Sequence, residues 1–215
     1  MELVGIELAK IVSLFLVSRA NGQPPLGKIG VALQQRYQFG IFPKTIEEIT
    51  ADRIAFGQGS FGDTRIDLLE IFPDGIVITA RSPTEALEKF MEDLVSWADE
   101  DFGLKRTETQ NINLAYESHL LIKSDKPLLQ AALAFGAVQS LVKKLLFAST
   151  KIDVEFEPFG ISFAPDPTKI AGMRPSRFGV ERKIGPAYES NLYFSVAPLK
   201  TGDHLKVLDL LESSL

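Results

Sequence analysis

The sequence predicts an α+β fold: a mostly antiparallel sheet, or sheets, with two long helices at about residues 83–102 and 126–147 packed on them. Short segments typical of strands follow one another across tight turns, which favours antiparallel pairing. Two much longer segments carry apolar residues at helical spacing. The strands do not alternate regularly with helices, as they would in a doubly wound parallel fold.

Length and composition predict a single compact domain over residues 1–215, or alternatively two intimately packed lobes at about 1–108 and 109–215. The chain has no cysteine, which excludes disulfides and thiolate metal sites, and its net charge of −5 argues against a dedicated nucleic-acid binder. The apolar run at 11–17 is too short to cross a bilayer and follows acidic residues. We therefore expect a soluble, cytoplasmic protein without a membrane partner.

The first segment, residues 3–17, fits either a helix or a strand. Its apolar residues recur at helical spacing, but many of them are β-branched, which favours a strand. A turn at 21–25, rich in Gly and Pro, and a helix at about 26–37 are predicted to follow.

Three strands are predicted next, at 53–56, 65–72 and 75–80. Pro73-Asp74-Gly75 predicts a tight turn, because Pro fixes φ and Gly tolerates a positive φ, so the last two strands form a hairpin. The first long helix is expected to begin with a capping box formed by Ser82 and Glu85, and to end at Gly103.

The second half is predicted to contain a strand at 112–123, the helix at 126–147, strands at 154–163, 178–183 and 192–196, and a short helix at 204–211. The long helix is apolar on nearly every side, so it must be covered nearly all round. Ala132, Gly136 and Ser140 form a ridge of small residues on it. We expect this helix to pack on the protein's own sheet; a contact between two copies is the alternative.

A glycine-rich string, Gly57 to Gly62, has the G-x-G-x-x-G spacing of loops that cover nucleotide phosphates, and Asp101-Phe102-Gly103 spells the metal-binding triplet of kinases. The H-R-D catalytic loop and the phosphate-binding lysine are absent from the sequence. The two strings therefore predict a hairpin and a helix end, and not a kinase site.

A second string, Asp166 followed by Glu181 and Lys183, satisfies the loose PD-(D/E)xK pattern of magnesium-dependent nucleases, in which carboxylates hold the metal. Asp153, Glu155 and Glu157 also alternate along the strand predicted at 154–163, where they form either a cation site or a solvated face.

The basic residues between 19 and 44 suggest a different alternative. Arg19, Lys28, Arg36 and Lys44 lie in a stretch that resembles the beginning of a winged-helix or helix-turn-helix unit. An ordinary pair of helices is the simpler interpretation.

The histidines give little material for catalysis. The chain has two, His119 and His204, and both are predicted to be surface or capping residues.

Charge is distributed unevenly along the chain. Residues 67–108 are strongly acidic, whereas residues 168–183 carry an excess of bases. The basic segment supplies our candidate residues for binding an anion or a partner: Lys169, Arg174, Arg177, Arg182 and Lys183.

Because none of these patterns forms a complete catalytic set, the sequence predicts a non-catalytic binding or assembly protein. The complementary acidic and basic segments suggest self-association or a protein partner, with contacts that salt weakens. The alternative is a nucleic-acid-associated protein, either a binder through the basic stretches or a metal-dependent nuclease. No cofactor and no resident metal are predicted.

Overall fold

The computed structural model describes residues 1–19, 26–49, 52–107, 113–170 and 172–215. The strands are β1 (Glu2–Leu14), β2 (Leu16–Arg19), β3 (Ile54–Phe61), β4 (Thr64–Phe72), β5 (Gly75–Ala80), β6 (Leu104–Thr107), β7 (Asn113–Lys123), β8 (Gly160–Phe163), β9 (Phe178–Arg182) and β10 (Leu192–Ala197). The α-helices are α1 (Leu26–Tyr37), α2 (Ile46–Ile49), α3 (Thr84–Phe102), α4 (Gly136–Thr150) and α5 (Thr201–Ser213).

Eight strands form one antiparallel sheet in the order β3-β4-β5-β1-β7-β10-β9-β8, and β2 pairs with β6 separately. This confirms the predicted α+β class. The description of two long helices is loose, since α3 has 19 residues but α4 has 15, little more than the 12 and 13 of α1 and α5. The turn predicted at 21–25 lies outside the described residues.

The ambiguous segment at 3–17 contains the long central strand β1, which pairs with β5 on one side and with β7 on the other. Ala9, Ile11 and Ser13 are fully buried, and the residues between them are only partly buried. This alternation places the three buried side chains on the face that the helices cover. Apolar residues on both faces explain why the periodicity of the sequence was ambiguous.

The larger core cluster lies between the first half of the sheet and helices α1 and α3. Tyr37 of α1 stacks edge-on against Phe90 and Trp97 of α3, with ring centroids 4.9 and 6.1 Å apart. Arg36 and Tyr37 both hydrogen-bond to Asp93 on α3, at 2.9 and 2.7 Å. Aromatic packing and a charge-assisted pair therefore fix α1 against α3.

The two halves of the chain repeat one topology: a central strand, a helix, three antiparallel strands and a second helix. The sheet order is consequently palindromic about β1 and β7. Strands β5 and β10 have the same length and precede helices that begin at Thr84 and Thr201, which are 117 positions apart. The structure thus contains an internal repeat that residue identities in the sequence do not reveal.

The strand register locates the pseudo-twofold axis of this repeat. Ala80, the last residue of β5, pairs with Ala9, and its counterpart Ala197 pairs with Ser118. Ala9 and Ser118 are in turn paired with each other across the centre of the sheet. The axis therefore passes between Ala9 and Ser118.

Helices α3 and α5 meet end to end near this axis. The Thr84 amide donates to the Thr201 hydroxyl at 3.0 Å, and the Thr201 amide donates to the Thr84 hydroxyl at 2.8 Å. Each threonine thereby satisfies an amide at the first turn of the other helix. The predicted capping box is wrong in detail: Pro83 occupies the N-cap position without a side-chain cap bond, and Glu85 accepts from Gly202 at 3.2 Å.

Other boundaries also differ from prediction: the strand expected at 53–56 continues to Phe61, and the helix expected at 204–211 is longer at both ends. The strand expected at 154–163 begins only at Gly160; before it, the Phe159 carbonyl still accepts from the Arg182 amide of β9 at 2.8 Å. The helix expected at 126–147 is a 3-10 helix at Gln130–Phe135 followed by α4, which extends to Thr150.

Candidate functional site

The basic segment at 168–183 is held largely within its own chain. Arg177 donates to Glu181 at 2.6 Å, and the Lys169 amine lies 3.8 Å from the Asp166 carboxylate. Arg174 is exposed and Lys183 is half-buried. The structure therefore places these side chains on β9 and in the segments next to it, with part of their charge already paired.

Arg182 differs from the other candidates because it is buried. Its guanidinium lies 4.2 Å from the centre of the Tyr188 ring and donates to the carbonyls of Tyr188 and Pro158, at 2.8 and 3.1 Å. It also contacts the Glu157 carboxylate at 3.4 Å. These contacts tie the segment before β8 to the loop after β9, so Arg182 is a structural residue with few donors left for a ligand.

The nuclease-like residues occupy separate environments. Asp166 accepts hydrogen bonds from the Thr168 amide and hydroxyl at 3.0 and 2.8 Å, which lower the pKa of its carboxyl group. Glu181 is paired with Arg177, and Lys183 follows the end of β9. Within the described ranges, no group of three or more histidine, aspartate or glutamate side chains is arranged to hold a metal ion.

The carboxylates at 153–157 also bind within the chain. Asp153 lies 3.1 Å from the Lys143 amine, and Glu155 pairs with the same amine. Glu157 contacts Arg182. The strand predicted at 154–163, which would align these three carboxylates on one face, begins only at Gly160.

The basic stretch at 19–44 does not form a pair of helices, because the apolar segment before α1 is strand and not helix. Arg36 is bound to Asp93 and lies against the rings of Tyr37 and Trp97. Lys28 is exposed, and the side chain of Arg19 lies outside the described part.

The glycine-rich string belongs to β3 and its hairpin. A Cβ atom at Gly59 would lie 2.4 Å from the buried Phe39 ring, so a side chain is excluded there by packing. Gly62 adopts a φ of 55° in the turn to β4. Asp101-Phe102-Gly103 ends α3, where Gly103 adopts a left-handed conformation, as predicted.

The expectation that His204 lies on the surface is wrong. Its ring is fully buried between two fully buried serines, with Nδ1 2.8 Å from the Ser118 hydroxyl and Nε2 2.8 Å from the Ser195 hydroxyl. Ser195 donates to the Gly179 carbonyl at 2.9 Å, so its oxygen accepts from Nε2–H. Because burial lowers the pKa of His204, the ring is neutral, and Nδ1 then accepts from the Ser118 hydroxyl.

This Ser118–His204–Ser195 cluster has the residue types of a nucleophile and its base, but it is closed to a substrate because all three side chains are fully buried. Desolvation, with a smaller effect of His119, lowers the pKa of His204 to about 4. Leu87 is the counterpart of His204, 117 positions earlier, and is also fully buried. The cluster therefore replaces apolar packing and serves the core.

The face of the sheet opposite the helices carries side chains of intermediate exposure. His119 lies there beside Glu117, with its Nε2 atom 2.6 Å from the carboxylate, and its ring meets Phe194 edge-on at 5.6 Å. A shallow polar depression of about 170 Å³ is lined by Arg65, Asp67, Arg81 and Ser82. Both arginines lie 3.9 Å from Asp67, which offsets the positive charge an anion would require.

The most unusual surface is α4. Every residue of this helix is described and none is buried. Large apolar side chains are strongly exposed on it and just before it: Phe135 (64%), Val138 (58%), Leu141 (55%) and Leu145 (60%). Val138, Leu141 and Leu145 follow one another at helical spacing and form a continuous stripe. The expected cover by the protein's own sheet is therefore wrong.

The segment that follows α4 enlarges this apolar surface. Ile152, Val154 and Phe156 are 52%, 42% and 38% exposed. Lys143 holds the segment beside α4 through Asp153 and Glu155. We name residues 135–159 the arm. A contiguous exposed surface of several large apolar side chains is typical of a protein interface.

The sequence predicts α4 as part of a helix that is apolar on nearly all sides, but it does not predict the exposure of this helix, because that depends on where the linkers place α4. The small-residue ridge of Ala132, Gly136 and Ser140 has no packing role that the structure describes: a Cβ atom at Gly136 would meet nothing within 4 Å.

No protein-family model, no curated protein and no solved structure matches this chain. Among the described helices, none is both long and apolar enough to cross a membrane.

Proposed function

We propose that this chain is a non-catalytic assembly protein that self-associates through the arm. The observation that carries this proposal is α4, a 15-residue helix without a buried residue. Leaving such a stripe in water costs roughly 25 cal/mol for each Å² of apolar surface. Contact with another protein removes that cost.

The contacts of the charged segments favour an apolar interface over an electrostatic one. In the acidic segment, Asp93 is bound to Arg36 and Glu88 to Lys200, at 2.9 and 2.6 Å. In the basic segment, Arg177 and Arg182 are bound to glutamates. These charges are partly satisfied within one chain, which reduces their value for a partner protein or a nucleic-acid backbone.

The proposal is tested by sedimentation equilibrium of the unmodified protein at low and high salt. We expect a mass of twice the 23.7 kDa of one chain at micromolar concentration. The association constant should stay constant or rise with salt, because apolar burial is not screened. A monomer under all conditions would contradict the proposal, and dissociation on adding salt would restore the electrostatic interpretation.

A further inference from the structure

The internal repeat shows where a helix in the position of α4 is expected to lie. In the first half, α1 follows the central strand and packs over β3, where a Cβ atom at Gly30 would meet the Phe56 ring at 4.0 Å. Phe56 is 1% exposed, and Leu33 and Tyr37 of α1 are 2% exposed. Helix α4 occupies the same place in the order of the second half, but none of its residues is buried against the sheet.

The surface that such a helix would cover in the second half is bare. Ile161 on β8 pairs with Val180, as Phe56 on β3 pairs with Leu69. Ile161 is only partly buried, and Phe163, two residues further along β8, is 65% exposed. The Phe163 ring stacks on Phe178 at 6.0 Å. Phe178 packs on the smaller core cluster of the second half, which contains Val180 and Leu208. An apolar surface therefore continues from the core to the outer edge of the sheet.

The chain thus presents two uncovered surfaces whose counterparts in the first half cover each other. One is the stripe on α4, and the other is the apolar surface formed by Ile161, Phe163 and Phe178, which we name the β8–β9 surface. Pairing of α4 with α4 of another copy would cover the stripe and leave Phe163 exposed. Packing of α4 on the β8–β9 surface of another copy covers both, and by symmetry it does so twice.

We propose that two copies of this chain form a twofold-symmetric dimer in which α4 of each copy packs on the β8–β9 surface of the other, as α1 packs on β3 within one chain. This inference rests on the proposed function and specifies its partner and its mode. Exchange of an element between two copies, here arm exchange, forms a dimer at low energetic cost, because the interface uses the same kind of helix–strand contact that the fold already contains.

The area available is sufficient for a stable dimer. Aromatic side chains bury about 150–250 Å² each when fully covered, and aliphatic side chains bury less. The exposed parts of Phe135, of the stripe and of the β8–β9 surface then amount to roughly 1,200 Å² when counted in both copies, at the lower end of the range of about 1,200–2,000 Å² that specific interfaces bury.

Because the chain has no cysteine, single cysteines test this contact without background. Leu141→Cys is mixed with an equal amount of a mass-tagged Phe163→Cys variant and treated with a short bismaleimide. The matched control replaces the second variant by Arg65→Cys, whose side chain is 71% exposed on β4 in the other half. We expect the first mixture to yield at least tenfold more mixed crosslinked dimer than the control.

Each alternative outcome of these experiments identifies a different arrangement of α4. Crosslinking of Leu141→Cys mainly to itself would show α4 pairing with α4 and overturn arm exchange. A protein that sediments as a dimer without the Leu141–Phe163 crosslink would also overturn it and leave the proposed function standing. An intrachain crosslink in the double variant at high dilution would show α4 on its own sheet. A monomer throughout would overturn both proposals.

Discussion

Replacing Leu141 and Leu145 together by glutamate is expected to convert the dimer into a monomer, with an increase in the dissociation constant of more than about 100-fold. The two leucines are 55% and 60% exposed in one chain, and only the proposed dimer would cover them. The substitution removes apolar area from the proposed interface and places two charges in an apolar contact. Sedimentation equilibrium gives the dissociation constant directly.

The fold of the single chain should survive this change. Glutamate has a helix propensity close to that of leucine, and the substituted side chains face water in the monomer. The free energy of unfolding of the monomer should therefore change by less than about 1 kcal/mol. Val31→Glu on α1, which replaces an apolar side chain that is 55% exposed, is the matched control and should leave the dimer intact. Equal dissociation by the control variant would contradict the role of α4.

The second large effect concerns acid stability. Burial holds the pKa of His204 at about 4, against 6.5 for an ordinary histidine. Above pH 6.5 the ring is neutral in both states, so this group adds no pH dependence. Between pH 6.5 and 4 the unfolded chain binds a proton that the folded chain does not, and the folded state loses about 3 kcal/mol of stability. Below pH 4 the loss levels off.

His204→Gln isolates this contribution, because glutamine cannot titrate and still offers a donor and an acceptor to the two serines. Urea unfolding of both proteins between pH 4 and 8 gives the comparison. We expect the free energy of unfolding of the natural protein to fall more steeply below pH 6.5 than that of the variant. Parallel curves would show that His204 is not buried as a neutral ring.

The sequence predicted those elements whose signals are local. The helix at 26–37, the hairpin across Pro73-Asp74-Gly75 and the end of α3 at Gly103 are set by periodicity and turn chemistry within a few residues. The prediction of a capping box is wrong because the amide of Thr84, in the first turn of α3, donates to Thr201, which is 117 positions away, and Ser82 does not cap the helix. Distant contacts of this kind leave no mark in a local pattern.

The same limit applies to the site. His204 was placed on the surface because Ser118 and Ser195, which satisfy its ring, come from two other elements of the fold. The sequence predicts that the helix at 126–147 requires cover, but it does not predict that its own chain leaves α4 uncovered. The internal repeat was hidden because the two halves share topology and register, while apolar positions in one half, such as Leu87, are polar in the other.

The most direct test of the account is whether a second copy covers α4. Amide hydrogen exchange of residues 136–150 can be followed at protein concentrations above and below the dissociation constant. We predict that exchange in this segment slows markedly as concentration rises, while exchange in the buried part of α3 around Leu87 and Phe90 stays constant, since those residues are covered within one chain. Fast exchange of α4 at every concentration would contradict the account.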